Sequence, residues 1–301
     1  MIRRLTRVAT AAAALAPCPA WSQIVPTLED LLTAQNRWRA EAGLSYFNQE
    51  GSSTAARGPI YIQVGPNIIP VATGVVPKKR NVDSLVAYAG MRYGYSANTE
   101  LSFSGTGSYT SERTLFEGIQ QESSHSTRFS SLSLAISHRL LKEQGSPGLV
   151  AFLETGAVEH TGDAASYFSS FTAGGTLYRS IDPVVLSLNA SYRLNLPRHD
   201  GAARPGNVLM LTPQVGFAAN EAVTLYGGMN WQLQQAESNP QGLPAQRSTQ
   251  TAMVFGLGYR ASDRTTISLS GNANISGRGG AQITLGTVVK LGAMPARERL
   301  Q

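Results

Sequence analysis

The most constraining feature of this chain is a recurring segment, about a dozen residues long, in which apolar and polar side chains alternate. Residues 185–196 show it most clearly, because Leu188 and Tyr192 fall on one face while Asn189 and Arg193 fall on the other. Alternation with a period of two residues indicates a β-strand whose two faces meet different surroundings. In a soluble sandwich the polar face meets bulk water, whereas in a membrane barrel it lines the lumen and the apolar face meets lipid.

The start of the chain indicates export. Three arginines precede the short apolar stretch 8–16, and the small residues Ala20 and Ser22 suit the positions before a cleavage site. This pattern predicts a signal peptide over residues 1–22. Cys18, the only cysteine, would leave with it, and the preceding proline argues against lipid attachment there. No later segment approaches the ~20 consecutive apolar residues of a transmembrane helix, so any crossing of a membrane falls to strands.

The connections between these segments are alternately short turns and longer links. This alternation, with an even number of strands, is typical of outer-membrane barrels, whose turns face the periplasm and whose loops face outward. The sequence therefore predicts an all-β fold, a transmembrane antiparallel up-and-down β-barrel of about twelve strands over residues 39–291, before a polar tail at 292–301. Only the link 277–279 is short where a long loop is due. The predicted strands are 39–49, 83–94, 99–111, 128–140, 149–159, 167–179, 184–196, 208–219, 223–235, 249–260, 265–276 and 280–291.

The side chains predicted to face lipid are apolar, and aromatic residues occur toward the strand ends. Aromatic girdles at the two membrane interfaces are expected of such a barrel. The lipid-facing set comprises Leu44, Tyr46, Leu85, Ala87, Ala89, Met91, Tyr93, Leu101, Phe103, Leu132, Leu134, Ile136, Val215, Phe217, Met253, Phe255, Leu257, Tyr259, Ile267, Leu269, Ile283 and Leu285. The girdle comprises Tyr93, Tyr109, Tyr178, Tyr192, Trp231 and Tyr259.

A short helix is predicted over residues 26–37, within a plug-like N-terminal segment at 23–38. Thr27 is a suitable N-cap, and the carboxylates of Glu29 and Asp30 in the first turn suit the helix dipole. An apolar stripe along one side of this helix consists of Leu28, Leu31 and Leu32.

The predicted inner face is mostly Ser, Thr, Asn, Gln and Gly, with a few charged residues. A basic collar lies near the periplasmic ends of the strands and consists of Arg39, Arg92, Arg139, Arg260 and Lys290. Charged rings in a narrow pore bias which ions pass. Two interpretations stay open. Either the collar holds Glu29 and Asp30 so that the helix plugs or gates the lumen, or its cations are solvated or pair with Glu41 and Glu100. The candidate lumen and gating residues are Glu29, Asp30, Arg39, Arg92, Arg139, Arg193, Arg260, Lys290, Glu100 and Glu154.

The sequence carries no recognisable constellation for catalysis, a metal or a cofactor. The four histidines share no ligand spacing. Outer-membrane phospholipases use a barrel of the same strand number, but no histidine here matches their serine–histidine pair, and His125-Ser126 falls in a predicted loop. The formal charge of +6 falls to about +3 without the signal peptide, which leaves 22 basic and 19 acidic side chains, scattered along the chain. We therefore expect no enzyme activity, no cofactor and no nucleic-acid partner.

Three parts of the sequence resemble a group of Gram-negative outer-membrane transporter-like barrels. They are LEDLL at 28–32 with WRAEAGLSY at 38–46, RSIDPVVLSL at 179–188, and NEAVTL at 220–225. The group is related to the barrels named for the meta-pathway of phenol degradation and to the barrel of the functional-amyloid (Fap) secretion channel. The resemblance covers about residues 27–291. It implies a twelve-stranded barrel whose lumen is plugged from the periplasmic side by a short helix, here residues 27–35.

The chain departs from this group in two ways. The amyloid channel carries a trimerising coiled coil before its barrel, and the few residues between the predicted cleavage site and helix leave no room for one. Barrels of this kind commonly end on an aromatic residue, whereas the last strand here ends near Leu291 and a polar tail follows.

These observations predict an integral outer-membrane channel of a Gram-negative bacterium that passes a small solute or an extended polypeptide. Its expected partners are outer-membrane lipid, the barrel-assembly machinery and that unidentified cargo, and the oligomeric state stays open. The alternative is a non-conducting structural or adhesive barrel that acts through its long loops. The link 50–82 carries apolar runs at 60–64 and 68–71 that would suit a β-hairpin. The predicted lumen shows neither an aromatic ladder nor a hydrophobic path.

Overall fold

The computed structural model describes residues 31–53, 60–64, 67–71, 78–116, 119–161, 164–196, 204–237, 247–277 and 280–292. Twelve of the strands in these ranges form one closed antiparallel barrel, in which each strand pairs with its neighbours along the chain and the first pairs with the last. The strands are β1 (Trp38–Ser53), β2 (Ile60–Val64), β3 (Asn67–Val71), β4 (Lys78–Gly94), β5 (Thr99–Phe116), β6 (Ile119–Leu141), β7 (Gly148–Thr161), β8 (Ala164–Tyr167), β9 (Ser170–Ile181), β10 (Val184–Asn195), β11 (Val208–Ala218), β12 (Val223–Gln234), β13 (Ser248–Arg260), β14 (Thr265–Ser276) and β15 (Ala281–Leu291).

The predicted twelve-stranded barrel is therefore confirmed. β1 closes it by pairing with β15 from Trp38–Leu291 through Asn48–Ala281. Closure satisfies the backbone of every barrel strand without leaving a sheet edge, which a strand inside lipid requires. The strands β5 and β6 are longer than predicted, because their ladder continues to Phe116 and Ile119 where a loop was expected.

The inside–outside alternation is also confirmed. In β1, Ser45 and Phe47 expose 0% and 1% of their surface, whereas Leu44 and Tyr46 expose 45% and 46%. The same alternation runs around the barrel, and the apolar outer band matches the predicted lipid-facing set. Tyr178 is an exception among the predicted girdle residues. It is only 5% exposed, because it lies on the inward parity of β9.

Two short elements lie outside the regular ladder. β2 and β3 form the hairpin that the apolar runs suggested, as a two-stranded sheet separate from the barrel. β7 pairs with β9 along most of its length and with β8 at its far end. The chain bends between β8 and β9 at Phe168, whose φ is +49°.

The N-terminal segment, residues 31–37, forms bends and a turn, so the predicted helix is wrong for this half of its range. In a helix the N–H of Asn36 would donate a hydrogen bond within the segment. Here it donates to the carbonyl of Gly94 at 2.7 Å. Asn36 also has a φ of +59°, which interrupts a right-handed helix. The first half of the predicted helix lies outside the described residues. Among the described residues, no helix is long and apolar enough to cross a membrane.

Candidate functional site in the barrel lumen

Arg92 holds two buried carboxylates at the end of the lumen that carries the short turns, which we take as periplasmic. Its Nε and Nη2 atoms donate to Oε1 and Oε2 of Glu41 at 3.1 and 2.9 Å, and its Nη1 lies 3.5 Å from Oε1 of Glu100. Arg92, Glu41 and Glu100 expose 5%, 8% and 0% of their surface. A bidentate guanidinium–carboxylate pair is among the stronger protein hydrogen bonds, and burial makes each charge depend on its partners.

The strand register brings these charges together. Arg39 of β1 lies opposite Arg92 of β4 on one side and Lys290 of β15 on the other. Like charges directly opposite each other destabilise a sheet, and the carboxylate of Glu41, two residues along β1, offsets this repulsion. On the other side of β4, Gly94 lies opposite Glu100 of β5.

The N-terminal segment is anchored to this mouth through its backbone. The N–H of Thr33 donates to Oε2 of Glu100 at 2.5 Å. The N–H of Gly94 donates to the carbonyl of Arg37 at 3.0 Å, next to the Asn36 contact. We call Arg92, Glu41, Glu100 and Thr33 the periplasmic network, because one carboxylate links the barrel wall to the segment.

The side chains of the segment contact a different part of the wall, at β7 and β9. Leu32 is 5% exposed and packs with Val150 of β7 and Tyr178 of β9, and Leu31 packs against this group. The backbone anchors lie on β4 and β5, so the segment extends across part of the mouth from one wall toward another. The structure thus places apolar side chains and a backbone N–H in the lumen entrance without a helix.

The predicted lumen and gating residues divide by position. Glu29 and Asp30 lie outside the described residues, so their proposed contact with the collar stays a prediction. Arg92 contacts Glu41 and Glu100, as the second interpretation of the collar expects for this residue. The remaining candidates at the periplasmic ends are Arg39, which is buried, Arg139, which is half-buried, and Arg260 and Lys290, which are exposed.

Arg193 and Glu154 lie farther up the lumen, and Arg193 belongs to a second ionic group toward the extracellular end. Its Nη2 lies 3.0 Å from Oε1 of Glu159, and its Nε donates to Oδ1 of Asn195 at 2.9 Å. Glu159 also accepts hydrogen bonds from the hydroxyls of Ser169 and Ser170, at the junction of β8 and β9. The alternation pattern could not reveal this group, because a bulge in the β6–β7 pairing changes the inward parity before Glu159.

Four inward-facing aromatic rings line the periplasmic half of the lumen. Each lies against a glycine of the adjacent strand, and a Cβ on that glycine would overlap the ring. Glycine on one strand thus leaves room for an aromatic ring of its neighbour over the glycine backbone, as in aromatic rescue of glycine in sheets. We call this set the aromatic belt: Tyr88 over Gly43, Phe152 over Gly174, Tyr178 over Gly148 and Tyr226 over Gly256.

The prediction that the lumen has neither an aromatic ladder nor a hydrophobic path missed these four inward-facing rings. The rings occur singly in different strands, so no single segment of sequence shows them as a group. The available signal was the occurrence of an aromatic residue on the inward parity opposite a glycine, which becomes visible only once the strand register is known.

The extracellular half of one wall carries a set of carboxamides that we call the amide cluster. They line a small cavity of about 20 Å³ together with Phe47. The cluster consists of Asn230, Gln232, Gln250, Asn272, Asn274 and Gln282. Within the described ranges, no group of three or more His, Cys, Asp or Glu side chains is placed to hold a metal ion.

Solved outer-membrane barrels share this fold. The COG4313 outer membrane channel from Pseudomonas putida F1 superposes with a TM-score of 0.57 at 10% identity, over 88% of this chain and 99% of that one. The translocator domain of the autotransporter NalP from Neisseria meningitidis gives a TM-score of 0.52 at 9% identity, over 85% of this chain and 88% of that one. The similarity identifies the fold as an outer-membrane β-barrel.

Among curated proteins, none matches this sequence. A protein family does match, and its match extends over residues 72–288, which is most of the barrel. The predicted resemblance to the phenol-degradation barrels is thereby confirmed. The chain belongs to the family described as "Putative MetA-pathway of phenol degradation".

Proposed function

We propose that this protein is an outer-membrane channel for a small aromatic solute, and that the N-terminal segment closes its periplasmic mouth in this conformation. The observation that carries the proposal is the segment itself. It lies in the entrance of a closed barrel, with the N–H of Thr33 bonded to Glu100 of β5 and Leu32 packed against Val150 of β7 and Tyr178 of β9. A barrel with only a structural role would have no need of a removable obstruction at this position.

The aromatic belt supports the choice of solute. The rings of Tyr88, Phe152, Tyr178 and Tyr226 face the lumen, where an aromatic solute would meet them. The family is named for phenol degradation, which agrees with a small ring as cargo. An extended polypeptide is less suitable, because buried side chains such as Phe47, Val86 and Arg193 crowd the lumen.

Single-channel conductance in a planar bilayer tests the proposal. The mature chain should be closed or flickering, and a chain lacking residues 25–37 should conduct steadily. Thr33→Pro should also open the channel, because proline has no N–H to donate to Glu100. Thr33→Val is the matched control. It keeps the N–H and removes only a hydroxyl that is buried without a hydrogen-bond partner among the described residues, so it should stay closed.

The results separate the possibilities. Equal conductance of the intact and shortened chains would mean that the segment has no gating role. If neither conducts, the channel function itself fails. In the opened channel, catechol should interrupt the current, and Tyr88→Ala should weaken this block.

A second candidate function is adhesion through the hairpin of β2 and β3. The observation in its favour is that this hairpin forms a sheet of its own in an outward-facing link, apart from the barrel ladder. Cells expressing a chain without residues 54–77 should lose surface binding under this alternative. Unchanged binding would leave the channel as the better explanation.

A further inference from the structure

The amide cluster differs in chemistry from the two ionic groups of the lumen. The periplasmic network and the group around Arg193 are ionic, whereas none of the described residues that line the amide cavity is charged. Asn and Gln side chains supply most of the polar lining, and Phe47, 1% exposed, supplies an apolar wall. Six carboxamides from four adjacent strands thus converge on one small space.

The carboxamides in this cavity bond to one another. Nε2 of Gln250 donates to Oδ1 of Asn274 at 3.0 Å, and Nδ2 of Asn272 donates to Oε1 of Gln282 at 3.3 Å. Nε2 of Gln282 in turn donates to the hydroxyl of Ser45 at 2.8 Å. Neighbouring amides therefore bridge the space that they line, and the cavity of about 20 Å³ has room for about one water molecule.

We propose that the amide cluster is a binding site and filter for uncharged solutes that carry hydroxyl groups. This inference rests on the proposed channel function and specifies the solute. A hydroxyl both donates and accepts a hydrogen bond, so it can insert between Nε2 of Gln250, from which it accepts, and Oδ1 of Asn274, to which it donates. Such an insertion replaces one hydrogen bond by two and leaves neither amide atom unsatisfied.

A charged group cannot enter the amide cavity in this way. A carboxylate entering the cavity would lose its water shell without meeting a cation, and an ammonium would meet no carboxylate among the lining residues. The cavity has room for about one water molecule, so a single hydroxyl of the solute enters it and the rest of the solute stays in the lumen outside. Phenols and sugars both carry such hydroxyls, and the test distinguishes them.

Isothermal titration calorimetry on the full mature chain in detergent tests the site without requiring an open channel. Catechol and glucose are the uncharged probes, and 3,4-dihydroxybenzoate and glucuronate are their charged counterparts, which keep the hydroxyls and the ring. At least one uncharged probe should bind, and its counterpart should bind at least about tenfold more weakly. Catechol binding alone would identify a phenolic solute, and glucose binding alone a carbohydrate.

The double variant Gln250→Leu/Asn274→Leu removes both partners of one hydrogen bond, so neither atom of that bond is left unsatisfied. It should weaken binding of the uncharged probe by about 25-fold, the equivalent of two hydrogen bonds to the ligand. The matched control is Gln214→Leu, which removes a buried inward-facing amide of β11 that does not line the cavity. The control should bind as the unmodified chain does.

The inference is overturned if neither uncharged probe binds, if charged counterparts bind equally well, or if the double variant binds unchanged. These outcomes are separate from a failure of the channel. Amide-dependent binding by a chain that never conducts, even without residues 25–37, would reject the channel and retain the site. A channel that opens on removal of the segment but shows no amide-dependent binding would retain the channel and reject the filter.

Discussion

Replacing Arg92 with methionine should lower the free energy of unfolding by about 3–5 kcal/mol. The guanidinium donates to both oxygens of Glu41 at 3.1 and 2.9 Å and lies 3.5 Å from Glu100. Methionine has a similar length, so the principal loss is the charge. Two carboxylates that expose 8% and 0% of their surface would then remain buried without their cation.

Urea unfolding of the barrel in lipid vesicles, followed by tryptophan fluorescence, measures this loss. Lys290→Met is the matched control, because it removes an exposed cation from the same mouth, and it should change stability by no more than about 0.5 kcal/mol. Combining Arg92→Met with Glu41→Gln and Glu100→Gln removes the uncompensated charges and should recover much of the stability. A loss below about 1 kcal/mol for Arg92→Met, or no recovery in the triple variant, would refute the argument.

Two further predictions concern the lumen wall and the extracellular end. Gly43→Val should lower the free energy of unfolding by about 1–3 kcal/mol, because its Cβ would overlap the ring of Tyr88. Tyr88→Ala should relieve this cost in the double variant, and a double-mutant cycle with no coupling would contradict the packing. Arg193→Met should speed proteolysis between β10 and β11, because Arg193 holds Asn195, which bonds to Gly206 beyond the link. Unchanged cleavage, compared with an exposed-site control such as Arg260→Met, would show that this group does not order the link.

The strand positions were predictable because the signal lies within each strand. The predicted strand 265–276 coincides with β14, and 184–196 differs from β10 by one residue. A shift of one residue would turn every apolar side chain of a strand into the lumen, so the pattern restricts the register strongly. Where strands extend beyond the membrane, as β5 and β6 do, apolar and polar residues no longer need to alternate. The predicted strands 99–111 and 128–140 are therefore several residues shorter than β5 and β6.

The N-terminal segment was harder to predict because its local and tertiary preferences conflict. A leucine stripe and acidic first turn favour a helix, but Thr33 and Asn36 use their N–H groups to bond to Glu100 and Gly94. Glu100 lies 67 residues from Thr33 and Gly94 lies 58 residues from Asn36 in sequence, at the barrel mouth. Tertiary hydrogen bonds of this kind override a short helical pattern, since an isolated short helix is marginal in water.

The sequence by itself determined that the chain forms a twelve-stranded barrel and which face of most strands meets lipid. These properties follow from a period of two residues and from the turns, which are both local. Only the closed barrel decided that Arg92 pairs with Glu41, that Tyr88 lies over Gly43, and that six amides converge on one cavity. The physical reason is that contacts across strands depend on their register and on closure, which join residues far apart in the chain.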